Sequence, residues 1–445
     1  MKRVLSSGFR LPPGMSSLAT QQARNNVNFW TPNMTETDVQ TKSSAKPALA
    51  GVRVLELGTF ISAPFAATLL GDFGADVLKI ELPGDGDPMR TLGAYPTDGE
   101  SSYWWAQIAR NKRSLALDVR TPEGREIFGR LVSTSDILIE NFRPGTLERW
   151  GMTPDWFAER KPDLIMVRIS GYGQDGPWRD VPGFDRNAQA FSGLVYVTGD
   201  PETQPQQAGL PVCDYTSGLW AAFGAVVAIL GKLRHKDTGG NLVDLALYES
   251  MLPFLKDIPM TYAHEGKVTE RTGNTPDYVA PGGSYKTGDG EWIFISGTGD
   301  RVFARLMTAI ARPEMIEMLE FKENKARVAN RHLIDEVINA WLQVRSTKEV
   351  LEQFFSADVP AVKINSIADF VAHPQVIARE NFVDFPDGDR GEIRLTAPVP
   401  RLYRGGASIR WVGQHIGEAN GEILGKELGI SDEELADLKI RGVVG

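Results

Sequence analysis

The sequence predicts an α/β fold: a parallel-sheet large domain followed by a smaller α/β domain. Two observations carry this reading. Short apolar runs alternate with helical spacing from Gly51 onward, and the texture changes after about residue 260 to glycine-punctuated strands and charge-rich helices. The 445 residues, 42% hydrophobic and 24% charged, supply ample core and exclude disorder as a description of the whole chain.

Val52–Leu57 is a short apolar run, Ala63–Gly71 carries apolar residues at helical spacing, and Val77–Ile80 is apolar again. Strand, helix and strand at that spacing make a βαβ unit, hence a parallel sheet with a right-handed crossover. The pattern repeats as strand Ser114–Leu117, helix Thr121–Val132 and strand Asp136–Ile139. Thr121-Pro122-Glu123 starts that helix well, because Thr caps and Pro fits the first turn. Leu164–Ile169 is a further buried strand. Tyr215–Arg234 reads as a long buried helix ended by Thr238-Gly239-Gly240, and Leu242–Leu245 as the next strand.

Residues 51–259 are therefore the first part of the large domain and 260–370 the small domain. In the latter, Pro281-Gly282-Gly283 and Gly288-Asp289-Gly290 are expected turns and Glu291–Ser296 a strand. Asn324–Leu342 and Thr347–Phe355 are expected helices. Residues 371–445 form a C-terminal segment returning to the large domain, with two short polar helices in Gly417–Lys439.

Residues 1–50 are an N-terminal extension. Lys2, Arg3, Arg10 and Arg24 precede the first acid, Glu36, among Ser, Thr and Asn, a composition shared with mitochondrial transit peptides. A disordered tail, or initiation at Met15, accounts for the same residues. A cytoplasmic location is the first expectation and the mitochondrial matrix the alternative. The longest apolar run, Leu219–Gly231, stops at Lys232, short of the roughly 20 residues that span a bilayer, so no membrane partner is expected.

Acids outnumber bases 57 to 48, a net charge of -9 that argues against a nucleic-acid partner. A local basic pocket for an anionic ligand stays open. One cysteine, Cys213, excludes an internal disulfide, and five scattered histidines leave no expected metal site. There is no G-x-G-x-x-G after the first strand, no Walker loop, no H-E-x-x-H and no G-x-S-x-G. A Rossmann-like sheet without its glycine fingerprint argues against NAD and FAD.

Basic and amide residues gather at strand ends instead. Arg110-Asn111-Lys112-Arg113 precedes one strand, and Glu140-Asn141-Phe142-Arg143-Pro144-Gly145 follows another. Ligands of open parallel sheets bind beyond the carboxyl ends of strands, which places the second cluster well. Arg and Lys suit phosphates, and Phe142 offers a face to a flat base. A solvated charged rim is the simpler explanation of each cluster taken alone, and Arg90 and Arg149 could equally be surface. Asp214 sits just before the long apolar helix. Capping is the commonest use of such a residue, while a poorly hydrated carboxylate kept ionised by the helix dipole is also a competent nucleophile. Cys213 reads as a small core residue.

Taken together these segments resemble the class III CoA-transferase family, also called the carnitine-CoA transferase/formyl-CoA transferase family. The carriers are Gly51–Leu57 with Ala63-Pro64, Gly74–Glu81, Asn111–Ser114, Glu140–Gly145 and Gly183–Gly193, with Gly413-Gln414-His415 and Glu427-Leu428-Gly429 near the end. The resemblance implies a homodimer of two chains threaded as interlocked rings. It assigns Arg90, Lys112, Arg113, Asn141, Phe142, Arg143 and Arg149 to coenzyme A, with acyl-CoA as substrate and no permanently bound cofactor. It matches Asp214 to the nucleophile, and places Ile61, Phe184 and Asp185 around the substrate pocket. Gly282 and Gly283 are either a cover over the intermediates or a plain turn.

The implied reaction moves coenzyme A from an acyl-CoA, succinyl-CoA being favoured, to a carboxylic acid through an aspartyl-CoA intermediate. Ile61 stands where formyl-CoA transferases carry Gln, which argues against formate or oxalate. An α-methylacyl-CoA racemase is the nearest alternative, but its histidine would fall at Phe184, which cannot move a proton. A catalytically silent CoA-binding protein is the other.

Overall fold

The computed structural model describes residues 45–96, 101–235, 239–388, 391–402 and 404–445. Most of the N-terminal extension, residues 1–44, lies outside the described residues. Six strands form the principal sheet: β1 (Arg53–Glu56), β2 (Asp76–Glu81), β3 (Lys112–Ala116), β4 (Ile137–Glu140), β5 (Ile165–Ser170) and β6 (Asn241–Ala246). Their order is β3-β2-β1-β4-β5-β6, and every neighbouring pair is parallel. The chain winds outward one way from β1 and the other way from β4. The crevice between the loops after those two strands is thus the topological switch point, where open α/β sheets bind ligands.

Alternation along the strands fills both faces, as parallel sheets require. Leu55, Leu78, Leu115 and Leu138 face one core, and Val54, Val77, Ile137 and Ile139 the other. Two helices cover the second face: α1 (Ser62–Asp72), and a later one of 24 residues, Val212–His235. On the first face lies α2 (Pro122–Ser133), whose Thr121 hydroxyl accepts from the Gly124 N–H with Pro in the first turn.

The 24-residue helix departs from the expected buried core helix. Its small side, with Ser217, Gly218, Ala221, Ala222, Ala225 and Ala228, packs inward. Its bulky side is exposed, with Phe223 at 58%, Leu230 at 50% and Leu233 at 71%. Being apolar all round, the helix has no polar stripe to mark its outer face. By length and composition it is also apolar enough to cross a membrane, although one flank lies on the sheet.

A separate antiparallel sheet, β7 (Gly282–Lys286), β8 (Trp292–Ser296) and β9 (Ala361–Lys363), packs on helices around Phe303, Leu306, Ile334, Ile338 and Phe354. Gly282 and Gly283 begin β7 and are not in a turn. The expected single helix Asn324–Leu342 is two, Asn324–Ala329 and Arg331–Leu342, broken at Asn330. Beyond the hairpin of β10 (Phe382–Asp387) and β11 (Gly391–Thr396), the chain reaches the free edge of β3. There Asn420 Oδ1 accepts from the Ala116 N–H, and Leu117 pairs with Val444.

Candidate active site

The switch-point crevice is built by stitching the loop after β1 to the loop after β4. Asn141 accepts from the Thr59 N–H at 2.8 Å and donates to the Thr59 carbonyl at 2.7 Å and the Ser62 hydroxyl at 3.1 Å. Gly58 permits this approach, since a Cβ there would stand 2.4 Å from Ala63 Cβ and 2.8 Å from Asn141 Oδ1. Phe60 follows with φ of +64°, a left-handed conformation costly for an aromatic residue. Its N–H donates to Asp87 Oδ1 at 3.2 Å, which helps hold the turn.

Asp87 belongs to a buried ionic cluster beneath that loop. Lys79 reaches Asp87 at 2.6 Å, Glu56 at 2.8 Å and the Gly58 carbonyl at 2.5 Å. Lys112 pairs with the other Glu56 oxygen at 2.7 Å and donates to the Pro64 carbonyl at 2.6 Å. Burial opposes both cations. It pushes Lys112 down to about 8 against the pull of Glu56, whereas Asp87, Glu56 and Glu81 together raise Lys79 despite burial.

The predicted cations therefore divide. Arg90 is bidentate on Glu81, at 2.7 and 2.8 Å, and lies 4.0 Å over the Trp105 ring. Arg113 clamps Asp76 at 2.6 Å at the amino end of the sheet, the edge opposite the crevice, and also holds Glu422. Arg90, Lys112 and Arg113 line neither of the two cavities at this edge of the sheet. Arg143 and Arg149 are exposed, and neither has a carboxylate partner among the described residues; Arg149 donates to the Thr146 hydroxyl.

A cleft of about 200 Å³ opens at the switch point, lined by Phe60, Ile61, Asn141, Arg143, Phe184 and Asp214 among others. Thr59 and Phe142 also line a second cavity of about 370 Å³ at the carboxyl ends of β1–β3, with Trp150 and Arg120. Phe142 meets Trp150 edge-on at 5.0 Å, and Phe184, 66% exposed, meets Phe60 edge-on at 6.3 Å. The small cleft thus pairs an apolar wall with a single cation, and the larger one continues it along the sheet edge.

Asp214 enters the cleft from α4, as the helix Val212–His235 is labelled here, with α3 (Asp185–Phe191) packed against its start. Close helix packing sets this position, because a Cβ at Gly218, one turn on, would lie 2.7 Å from the Ser62 carbonyl. Asp214 does not cap its own helix. Asp185 does so from α3, accepting from the N–H groups of Cys213 at 2.8 Å and Asp214 at 3.0 Å through Oδ1. The Asp214 carboxylate is left lining the cleft. Burial, then the charge of Asp185, pushes it up to about 7, so the dipole does not keep it as acidic as expected. Burial pushes the neighbouring Cys213 thiol up to about 12 and leaves it inert.

Of the other predicted residues, Gly282 and Gly283 lie in β7 and do not line the cleft. Missed by sequence reasoning were Phe60, Ser62 and Ser170 in the cleft lining and the Lys79–Asp87 support. The one available signal was a lysine between acids in the apolar strand Asp76–Glu81.

A family model described as CoA-transferase family III matches residues 49–419. The chain is 41% identical to the succinyl-CoA–L-malate CoA-transferase beta subunit of Chloroflexus aurantiacus, over 89% of this chain and 98% of that one. It is 32% identical to the human succinyl-CoA:glutarate CoA-transferase, over 90% and 91% of the two chains. A crystal structure of a CAIB/BAIF family protein from Brucella suis superposes with a TM-score of 0.76 at 31% identity, covering 86% of this chain and 99% of the other. With a carboxylate waiting at the switch point and that likeness along most of its length, the chain belongs to CoA-transferase family III and is a class III CoA-transferase.

Proposed function

We propose that this enzyme moves coenzyme A from succinyl-CoA to a short dicarboxylic acid, with Asp214 as the covalent carrier. The observation that carries the reading is the Asp214 carboxylate, without an ion pair among the described residues and half-buried in the switch-point cleft. Relatives named for malate, citramalate and glutarate transfer from succinyl-CoA support the donor and the acid class.

In the proposed sequence an Asp214 oxygen attacks the thioester carbonyl. The C–S bond breaks, giving a mixed anhydride and CoA thiolate. The thiolate attacks the aspartyl carbonyl, a C–S bond forms, and the donor acid leaves as its carboxylate. The acceptor carboxylate then attacks the aspartyl thioester and expels the thiolate. The thiolate finally takes the acyl carbon of the acceptor and returns Asp214 as carboxylate. No net proton or electron is consumed, which suits a site whose wall is apolar. Splitting one exchange between weak nucleophiles into activated steps is the gain.

Coenzyme A would run from the larger cavity, where Phe142 and Trp150 offer aromatic surface, to the Asp214 cleft. Arg143 and Arg149 are its available cations. Arg90, Lys112 and Arg113 then act by shaping the scaffold, since their charge is already met by carboxylates. Racemisation is disfavoured by the apolar Phe184. Two copies are proposed to pair over the exposed side of α4, which would bury Phe223, Leu230 and Leu233.

The test is a panel of mono- and dicarboxylates assayed with succinyl-CoA. Dicarboxylates of four or five carbons should give the highest kcat/KM; a preference for monocarboxylates, or no transfer from succinyl-CoA, would remove the substrate assignment.

A further inference from the structure

Asp185 is more deeply buried than Asp214, at 6% exposure, and lies outside the lining of the cleft. Its oxygens are divided. Oδ1 takes the N–H groups of Cys213 and Asp214, and Oδ2 takes the Gln189 amide at 2.6 Å. Gln189, fully buried, is fixed in turn by the Ala208 N–H on its oxygen at 3.1 Å and the Leu210 carbonyl on its nitrogen at 3.3 Å. A hydrogen-bonded line therefore runs from residues 208–210 through Gln189 and Asp185 to the backbone of Asp214 itself.

We infer that Asp185 is a positioning residue of the transfer reaction, which seats the first turn of the Asp214 helix and places a fixed negative charge behind the nucleophile. This rests on the assignment of Asp214 as the attacking group. A helix start needs its second and third N–H groups satisfied, and a local Ser or Thr would do that without charge. A buried carboxylate satisfies the same donors and adds a like charge next to Asp214. Burial already makes the attacking carboxylate more basic than an ordinary aspartate, that charge raises it further, and a more basic carboxylate is a better nucleophile toward a thioester.

The other groups facing Asp214 do not supply this effect. Arg143 is the one cation lining the cleft, on the loop after β4, and a positive charge there can only favour the ionised carboxylate. Ser62 on α1 and Ser170 on β5 are neutral, and Gln189 on α3 is an amide. Burial raises both Cys213 and Tyr215 on α4 itself, so neither ionises near neutrality.

The experiment is the pH profile of kcat/KM for the full-length enzyme and its Asp185→Asn variant, with succinyl-CoA and a dicarboxylate acceptor. The unmodified enzyme should show an acid limb near pH 7, below which protonated Asp214 cannot attack. In Asp185→Asn that limb should move down by about one pH unit and the plateau kcat should fall about tenfold, with KM for succinyl-CoA within about twofold. Asp185→Ser, which avoids setting an amide against the Gln189 amide, should move the limb the same way. An unmoved limb in a folded variant overturns the proposal, as does a flat profile in the unmodified enzyme between pH 5.5 and 8. Failure of both variants to fold overturns it too, since Asp185 would then be a fold determinant without a separable role. Turnover retained by Asp214→Asn would instead strike the nucleophile assignment.

Discussion

Two sets of charged residues sit at the same edge of the sheet and are treated in opposite ways. Beneath the β1 loop, Lys79, Lys112 and Arg90 are matched by Glu56, Asp87 and Glu81 at ion-pair distance. Across the crevice, Asp214 has no ion pair among the described residues, and another carboxylate lies behind it. The first arrangement spends its charge on geometry, fixing a strained loop and leaving little attraction for a ligand. The second leaves charge available for chemistry and accepts a loss of stability to do so. A cluster of basic residues in a sequence is thus not evidence of an anion site until its carboxylates are located.

The largest effect expected from this contrast is at Lys79. Lys79→Met leaves Glu56 and Asp87 buried with one cation fewer, and should cost about 3–5 kcal/mol of stability by urea denaturation. A loss below about 1 kcal/mol would mean the cluster is not the scaffold described.

A smaller effect of opposite sign is expected at Asp214. Its folded value near 7 lies above the ordinary carboxylate value. As pH rises from about 4 to 7 the unfolded chain ionises there while the folded protein resists, so that group lowers stability progressively. Above pH 7 the cost is fully present. Asp214→Asn should therefore be about 1–2 kcal/mol more stable than the unmodified protein at pH 8, and nearly equal at pH 4, the figure being reduced because the group is only partly buried. Equal stability at both pH values would erase the distinction between the two regions.

Much of the fold was legible because parallel strands write themselves as apolar runs. Val52–Leu57, Val77–Ile80, Asp136–Ile139 and Leu164–Ile169 each contain or overlap an observed strand. The Thr121-Pro122 start was legible as local capping chemistry. Three features were not, each for a physical reason. The partners of Lys112 and Arg113 are 56 and 76, on other strands, so no local spacing reveals that those cations are spent. The outer face of α4 is as apolar as its inner one, so periodicity could not divide it. The cap on the Asp214 helix comes from 29 residues upstream, which left local capping by Asp214 as the simplest reading. Asp214 stands out in the sequence by its place at a helix start, and what the fold adds is that its own helix does not use its carboxylate.

The most direct test of that central point is covalent trapping. The enzyme is mixed with succinyl-CoA, treated with hydroxylamine or borohydride during turnover, digested and examined by mass spectrometry. Hydroxamate or reduced alcohol should appear at Asp214 in the peptide that begins helix α4, and only when the CoA thioester is present. An unmodified Asp214 in enzyme that is exchanging coenzyme A between acids at full rate would contradict the account.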